Sequence, residues 1–298
     1  MLMRLSLKHS KNRRGPSLAN RYILSMGAGI RPPAVAGSFY PREAEVLRRN
    51  LQDLLAGATS VGEVEDRGSL KALIVPHAGY GYSGPIAASA YALLTSVRDR
   101  IRRVVLLGPT HRVAVPGLAW PGGSAFQTPL GLVPLDLDAM VLLERFPQVS
   151  VSAAAHGQEH SLEVQLPFLQ MVLGPFRLVP LAVGTASPEA VAEVLDALWG
   201  GPETLVVVSS DLSHYLPCYQ AKELDGRTCG SIANLQLLGS HEQACGATPV
   251  NGLLLVAHQR GLTARLLDLR NSGDTAGDRD RVVGYGAFAF TEAADHGA

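Results

Sequence analysis

Cysteine is scarce in this chain. There are three, Cys218, Cys229 and Cys245, an odd number with no C-x-x-C pair. That excludes a disulfide-stapled scaffold and fits a reducing cytoplasm, the expected location. Long hydrophobic runs are missing too. None approaches the roughly 18 apolar residues needed to cross a bilayer, and the longest, such as 204–208, are strand-sized. Net charge is zero, with 26 basic and 26 acidic side chains. The balance is uneven, because residues 1–26 hold six basic residues (Arg4, Lys8, Lys11, Arg13, Arg14, Arg21) and no acid. The remainder is therefore mildly acidic, which argues against nucleic acid as the main partner. No glycine-rich loop follows a strand in the phosphate-cradling manner. The stretch GAGIRPPAVAG at 27–37 is proline-rich and has no strand before it.

What is present is a large apolar fraction. Hydrophobic residues make up 47% and charged ones 17% of 298 residues, enough for a sizeable core. Strand-like runs lie at 71–75, 103–107, 177–183, 204–209, 263–269 and 282–290. Most are continuously apolar, as expected of strands covered on both faces. Helical patterns lie between them, at 41–55, 84–97, 135–146, 160–171, 187–199, 219–239 and 248–260. The alternation predicts a single α/β domain with a largely parallel or mixed central sheet flanked by helices. Residues 1–26 read as a disordered basic extension, or as lying upstream of a start at Met26; 27–291 form the domain and 292–298 a frayed tail. The Pro- and Gly-rich segment 112–131 reads as a long ordered loop or a small hairpin.

In parallel sheets, ligands sit at the carboxyl ends of the strands. The run 71–75 is followed by His77, 103–107 by His111, and 204–208 by Ser209-Ser210-Asp211-Leu212-Ser213-His214. Three strands thus end in a histidine, and neutral imidazole is the commonest metal ligand. A third ligand would be an acidic side chain or a thiolate. Cys245 precedes a predicted helix start, where the helix dipole favours a thiolate. The stretch QEHSLEVQLPF at 158–168 offers Glu159, His160, Glu163 and Gln165, with helix capping as the plain alternative. Cys218 and Cys229 read as small buried residues, and His9, His156, His241, His258 and His296 receive no functional reading.

These motifs carry a resemblance. RPPAVAGSFYP, PHAGYGYSG, GPTHR, TPLG, EHSLEVQLPF, SSDLSHY, ACG and NSGDTAGDRDRVVGY occur in the order found in the Memo family, from about Arg31 to Phe290. In bacteria and archaea the family is called Memo-like, or protein B of the AmmeMemoRadiSam system. The resemblance implies a fold similar to that of class III extradiol dioxygenases, which hold Fe(II) by two histidines and a glutamate. It implies His77 and His111 as the first two metal ligands and Cys245 in place of the glutamate. His214 and His160 look like the pocket histidines near the metal, with His214 moving protons or touching a bound small molecule. Asp211 would orient an imidazole, and Tyr80 or Tyr82 would gate the pocket. Ser272-Gly273-Asp274 reads as a structural or rim-lining turn.

A thiolate is softer than a carboxylate, so the exchange favours copper or altered iron, with zinc less favoured. The fold can be inherited without the reaction. Three functions are therefore expected to compete. The first is an iron- or copper-dependent redox protein acting on a small aromatic or on dioxygen, in a pathway shared with radical SAM and Ammecr-like proteins. The second is a non-catalytic adaptor that binds a peptide or protein with the same pocket. The third is an extradiol-type dioxygenase, with a zinc hydrolase behind it.

Overall fold

The run Val206-Val207-Val208 offers water no polar face, and it forms the middle of the sheet with all three side chains fully buried. A computed structural model of the chain describes residues 29–58 and 69–292. Its strands in chain order are β1 (Ile30–Arg31), β2 (Ser69–Val75), β3 (Arg103–Pro109), β4 (Leu118–Trp120), β5 (Ala125–Thr128) and β6 (Gly131–Pro134). There follow β7 (Val149–Val151), β8 (Arg177–Val183), β9 (Thr204–Ser209), β10 (His214–Leu216), β11 (Thr263–Asn271) and β12 (Val282–Glu292).

Four strands, β2-β9-β3-β8, are parallel and adjacent in that order. β4 joins β8 antiparallel, and β7 pairs parallel with β4. At the other side β12 runs antiparallel to β2, and β11 antiparallel to β12. β10 pairs with the first residues of β12. The result is a mixed nine-stranded sheet, with β1, β5 and β6 in a separate small sheet. Helices flank the large sheet, and no barrel closes among the described residues. The chain therefore builds one mixed α/β domain. The parallel block is continuously apolar because both faces are covered.

The long elements follow the sequence pattern; several short ones do not. β4, β7 and β10 are three residues each, too short for a periodicity to register. The segment 112–131 supplies β4, and its end forms the β5–β6 hairpin. The helix expected at 84 begins at Tyr80 and gives way to a 3-10 stretch after Tyr91. The helix expected at 160 begins only as a 3-10 turn at Glu163–Gln165, followed by α-helix Leu166–Val172. The helix expected to reach 239 stops at Ala233, two residues before Leu235 with its φ of 53°. Glu292, expected in the tail, belongs to β12 and pairs with Ser69. The expectations for 1–26 and for 293–298 lie outside the described residues.

Candidate metal centre

β2 ends at Val75 and β3 at Pro109, and β9 lies between them. His77 and His111 follow the two outer strands, and their rings meet edge-on across the end of β9, with centroids 5.2 Å apart. His160 comes from the turn before Glu163. Its ring stacks on His111 at 4.6 Å and stands 5.4 Å from His77. One potential ligand atom from each of these three residues lies within 4.8 Å of the other two. The structure thus brings His77 and His111 together as expected, and it adds His160 rather than His214 as the third clustered imidazole.

Hydrogen bonds fix the tautomers of His77 and His111. The Ser209 hydroxyl donates to the Ser161 carbonyl at 2.6 Å, and its oxygen accepts from Gln165 Nε2 at 2.8 Å. Its single proton is thereby committed. His77 Nδ1, 2.9 Å away, must be the donor. The lone pair of His77 is left on Nε2. Glu159 does the same for His111, with Oε1 2.9 Å from its Nδ1 and 3.3 Å from Nδ1 of His160. Glu159 also accepts the main-chain N–H groups of His111 (2.6 Å), His160 (2.9 Å) and Ser161 (3.0 Å). Burial alone would raise this carboxyl. The bonds from His111 and Ser161 outweigh burial and hold it at about 2. A buried carboxylate behind two imidazoles is the usual partner of metal-binding histidine.

Burial, helped by neighbouring histidines, lowers His77 to about 3 and His160 to about 4. Both are neutral at physiological pH, the form that ligates. His77 and His111, tied back at Nδ1, converge with His160, and three imidazole nitrogens fit a first-row transition-metal ion by donor type.

Cys245 adjoins this cluster without joining it. Its Sγ is 3.3 Å from His77 Nε2. The Gly246 main-chain N–H at the helix start does favour its thiolate, but larger effects oppose it. Burial, together with the Asp211 carboxylate, pushes the thiol up to about 12. Asp211 is also placed differently from expectation. Its Oδ1 accepts the main-chain N–H of His77 at 2.7 Å, while the ring is held by Ser209. Its main-chain carbonyl accepts the N–H of Cys245 at 3.2 Å. Asp211 therefore sets the backbone on which His77 and Cys245 stand. Burial raises its own carboxyl.

His214 opens β10 and donates from Nδ1 to the Leu212 carbonyl at 2.9 Å. It lines an open cleft of about 660 Å³ with His111, Cys245, Leu216, Leu224, His241 and Glu242. His241, given no role from sequence, is thus a cleft residue. Its exposed position before a helix carried no signal that distinguishes it from a surface histidine. Tyr80 is no gate, being buried with its hydroxyl on the Val164 carbonyl at 2.7 Å, whereas Tyr82 is exposed. Ser272–Asp274 is a 3-10 turn capped by Asn271.

The opening motif of the domain has a place as well. Arg31 donates to the carbonyls of His156 (3.0 Å) and Glu159 (2.7 Å) and pairs with Glu163. Glu163 also accepts from Ala34 N, Val35 N and Tyr40 Oη at 2.8, 3.0 and 2.5 Å. Phe39 packs on the His160 ring at 4.8 Å. Residues 31–40 thus clamp the turn that carries Glu159 and His160.

The family model described as "Memo-like protein" matches residues 31–289. A MEMO1 family protein of Ignicoccus hospitalis is 38% identical over 283 residues, covering 88% of this chain and 98% of that protein. MEMO1 family proteins of Methanopyrus kandleri and Aquifex aeolicus are 34% and 35% identical, over 87% and 88% of this chain and 98% and 99% of their own lengths. A match over nearly the whole domain, at 34–38% identity to relatives covered almost end to end, makes this chain a member of the Memo family.

Proposed function

We propose that this protein binds one iron or copper ion through His77, His111 and Cys245 and serves a redox role. The observation that carries this is the pairing of His77 and His111 across β9, with the Cys245 sulfur 3.3 Å from His77 Nε2. Such an ion would supply Lewis acidity and one-electron chemistry to a small aromatic or to dioxygen in the cleft. The chain's own residues do the rest. His214 presents a lone pair at Nε2 and takes or returns a proton, Asp211 holds His77 and Cys245 in register, and His160 completes the wall. A role beside radical SAM and Ammecr-like proteins belongs to the same proposal, and follows from the family alone.

Metal analysis of protein purified anaerobically tests it. Near-stoichiometric iron or copper in the wild type is expected, falling sharply in His77→Ala and Cys245→Ala. Full occupancy in both variants would overturn the assignment.

An adaptor role is the second reading. Tyr215 and Tyr219, 62% and 71% exposed, stand in sequence beside the cleft residues His214 and Leu216 and offer aromatic surface to a peptide. Co-purification of an Ammecr-like partner that depends on these tyrosines, and not on His77, would favour that reading.

A further inference from the structure

Asp225 is a buried acid with no part in the metal cluster. It stands on the helix Cys218–Ala233, 1% exposed, and its Oδ1 accepts the main-chain N–H of Ser213 at 3.0 Å. Burial raises its carboxyl, against the opposing pull of the Ser213 hydrogen bonds and of nearby His214. A carboxylate is costly to bury, so its partners say what it is kept for.

The N–H that Asp225 holds belongs to the peptide joining Leu212 to Ser213. A trans peptide is planar, with its N–H and C=O pointing in opposite directions. At the other end of this plane the Leu212 carbonyl accepts Nδ1–H of His214 at 2.9 Å. Carboxylate, peptide and imidazole therefore form one line of hydrogen bonds. Bonds in such a chain polarise one another. The carboxylate at one end strengthens the carbonyl at the other, which holds the proton on Nδ1 and leaves the lone pair on Nε2.

β12 closes the arrangement from another side. Gly284 accepts the Leu212 N–H at 2.8 Å and donates to the Ser213 carbonyl at 2.8 Å. A Cβ on Gly284 would stand 2.0 Å from Asp225 Oδ2. The carboxylate thus fills the space that a side chain would need there.

We propose that Asp225 is the positioning residue of His214, acting through the Leu212–Ser213 peptide to fix both the direction of the carbonyl and the tautomer of the ring. This rests on the reading that His214 exchanges a proton in the cleft, and it names the group that keeps Nε2 free to do so.

The test labels histidine with nitrogen-15 in the full chain and reads the ring nitrogens by NMR at alkaline pH, where imidazoles are neutral. His214→Gln identifies the His214 signals. Wild type should show His214 as the Nδ1–H tautomer; a wild-type ring protonated on Nε2 overturns the proposal whatever any variant does. Asp225→Ala is expected to move the tautomer ratio toward Nε2–H by about fivefold or more, the worth of one hydrogen bond. Asp225→Asn keeps an oxygen for the Ser213 N–H and should restore most of the Nδ1–H form, a rescue that a general loosening of the fold would not give. Gly284→Ala, which crowds the carboxylate without altering it, should act as Asp225→Ala does. A wild-type ratio in Asp225→Ala would show that Gly284 alone sets the peptide plane, and would overturn the proposal. The readout needs neither metal nor turnover, so an absence of proton transfer at His214 would strike that reading and leave this result standing.

Discussion

Glu159 is the side chain on which two of the three clustered imidazoles depend. Its carboxylate faces both Nδ1 atoms and three main-chain N–H groups. Glu159→Gln keeps the size and removes the charge. It should lower metal affinity by about 10–100-fold with little change in far-ultraviolet circular dichroism; unchanged affinity would assign Glu159 to turn structure alone. His77 and His111 could be read from sequence because each stands just beyond a continuous apolar run. Glu159 and His160 were less legible. They sit at the head of an apolar period that reads as helix, and only the 3-10 start at Glu163 frees residues 158–162 to turn toward the site. Ser209 carried no signal at all. Its importance comes from three neighbours, Ser161, Gln165 and His77, that are remote in sequence.

At the scale of elements, the long strands and the helices that cover them were legible, since each buries a full face. β4, β7 and β10 were not, because three residues cannot establish a period of two. The contact between helices Pro188–Ala197 and Ala247–Gln259 shows what patterning misses. A Cβ on Gly252 would stand 2.4 Å from Val191 Cγ1 and 2.7 Å from its Cβ, closer than atoms can approach. The helices meet at that glycine because it has no side chain. Gly252→Ala should destabilise the domain by about 1–3 kcal/mol through overpacking. Val191→Ala should recover part of that loss in the double variant, by contrast with the additive losses of independent sites. Urea denaturation of the four proteins measures the coupling, and strict additivity would mean that the helices simply move apart.

The whole molecule carries a pH dependence set by its buried histidines. Burial lowers His77 to about 3 and His156 and His160 to about 4, from an ordinary 6.5. Between about pH 6.5 and 4 the unfolded chain takes up protons at these positions and the folded chain does not. The stability these histidines contribute is therefore full above 6.5 and falls as the pH drops through that window, by up to about 1.4 kcal/mol per pH unit for each. Glu159 extends the loss below 4.5, because its folded value near 2 is depressed as well. Urea midpoints measured from pH 7 to 4 should fall steadily. His156→Gln, which removes a group outside the metal cluster, should make the decline shallower; an identical slope would show that His156 titrates alike in both states. His156 was legible only as one histidine among nine, since the Ala119 carbonyl that binds its Nε2 at 2.8 Å belongs to the unforeseen β4.

The placement of β9 between β2 and β3 has a consequence for which substitutions the domain can bear. Neighbouring strands lie about 4.8 Å apart, so the flanking backbones are two such steps from each other, and the imidazoles close that distance by leaning inward over the tip of β9. Ser209 at that tip holds one of them, its oxygen 2.9 Å from His77 Nδ1, while Ser210 turns to the Cys245 side and accepts the Gly246 N–H at 2.9 Å. The bite of the centre is thus set from the strand between its jaws as much as by the donors, and a side chain at position 209 that cannot accept from His77 would loosen one jaw with every ligand still in place.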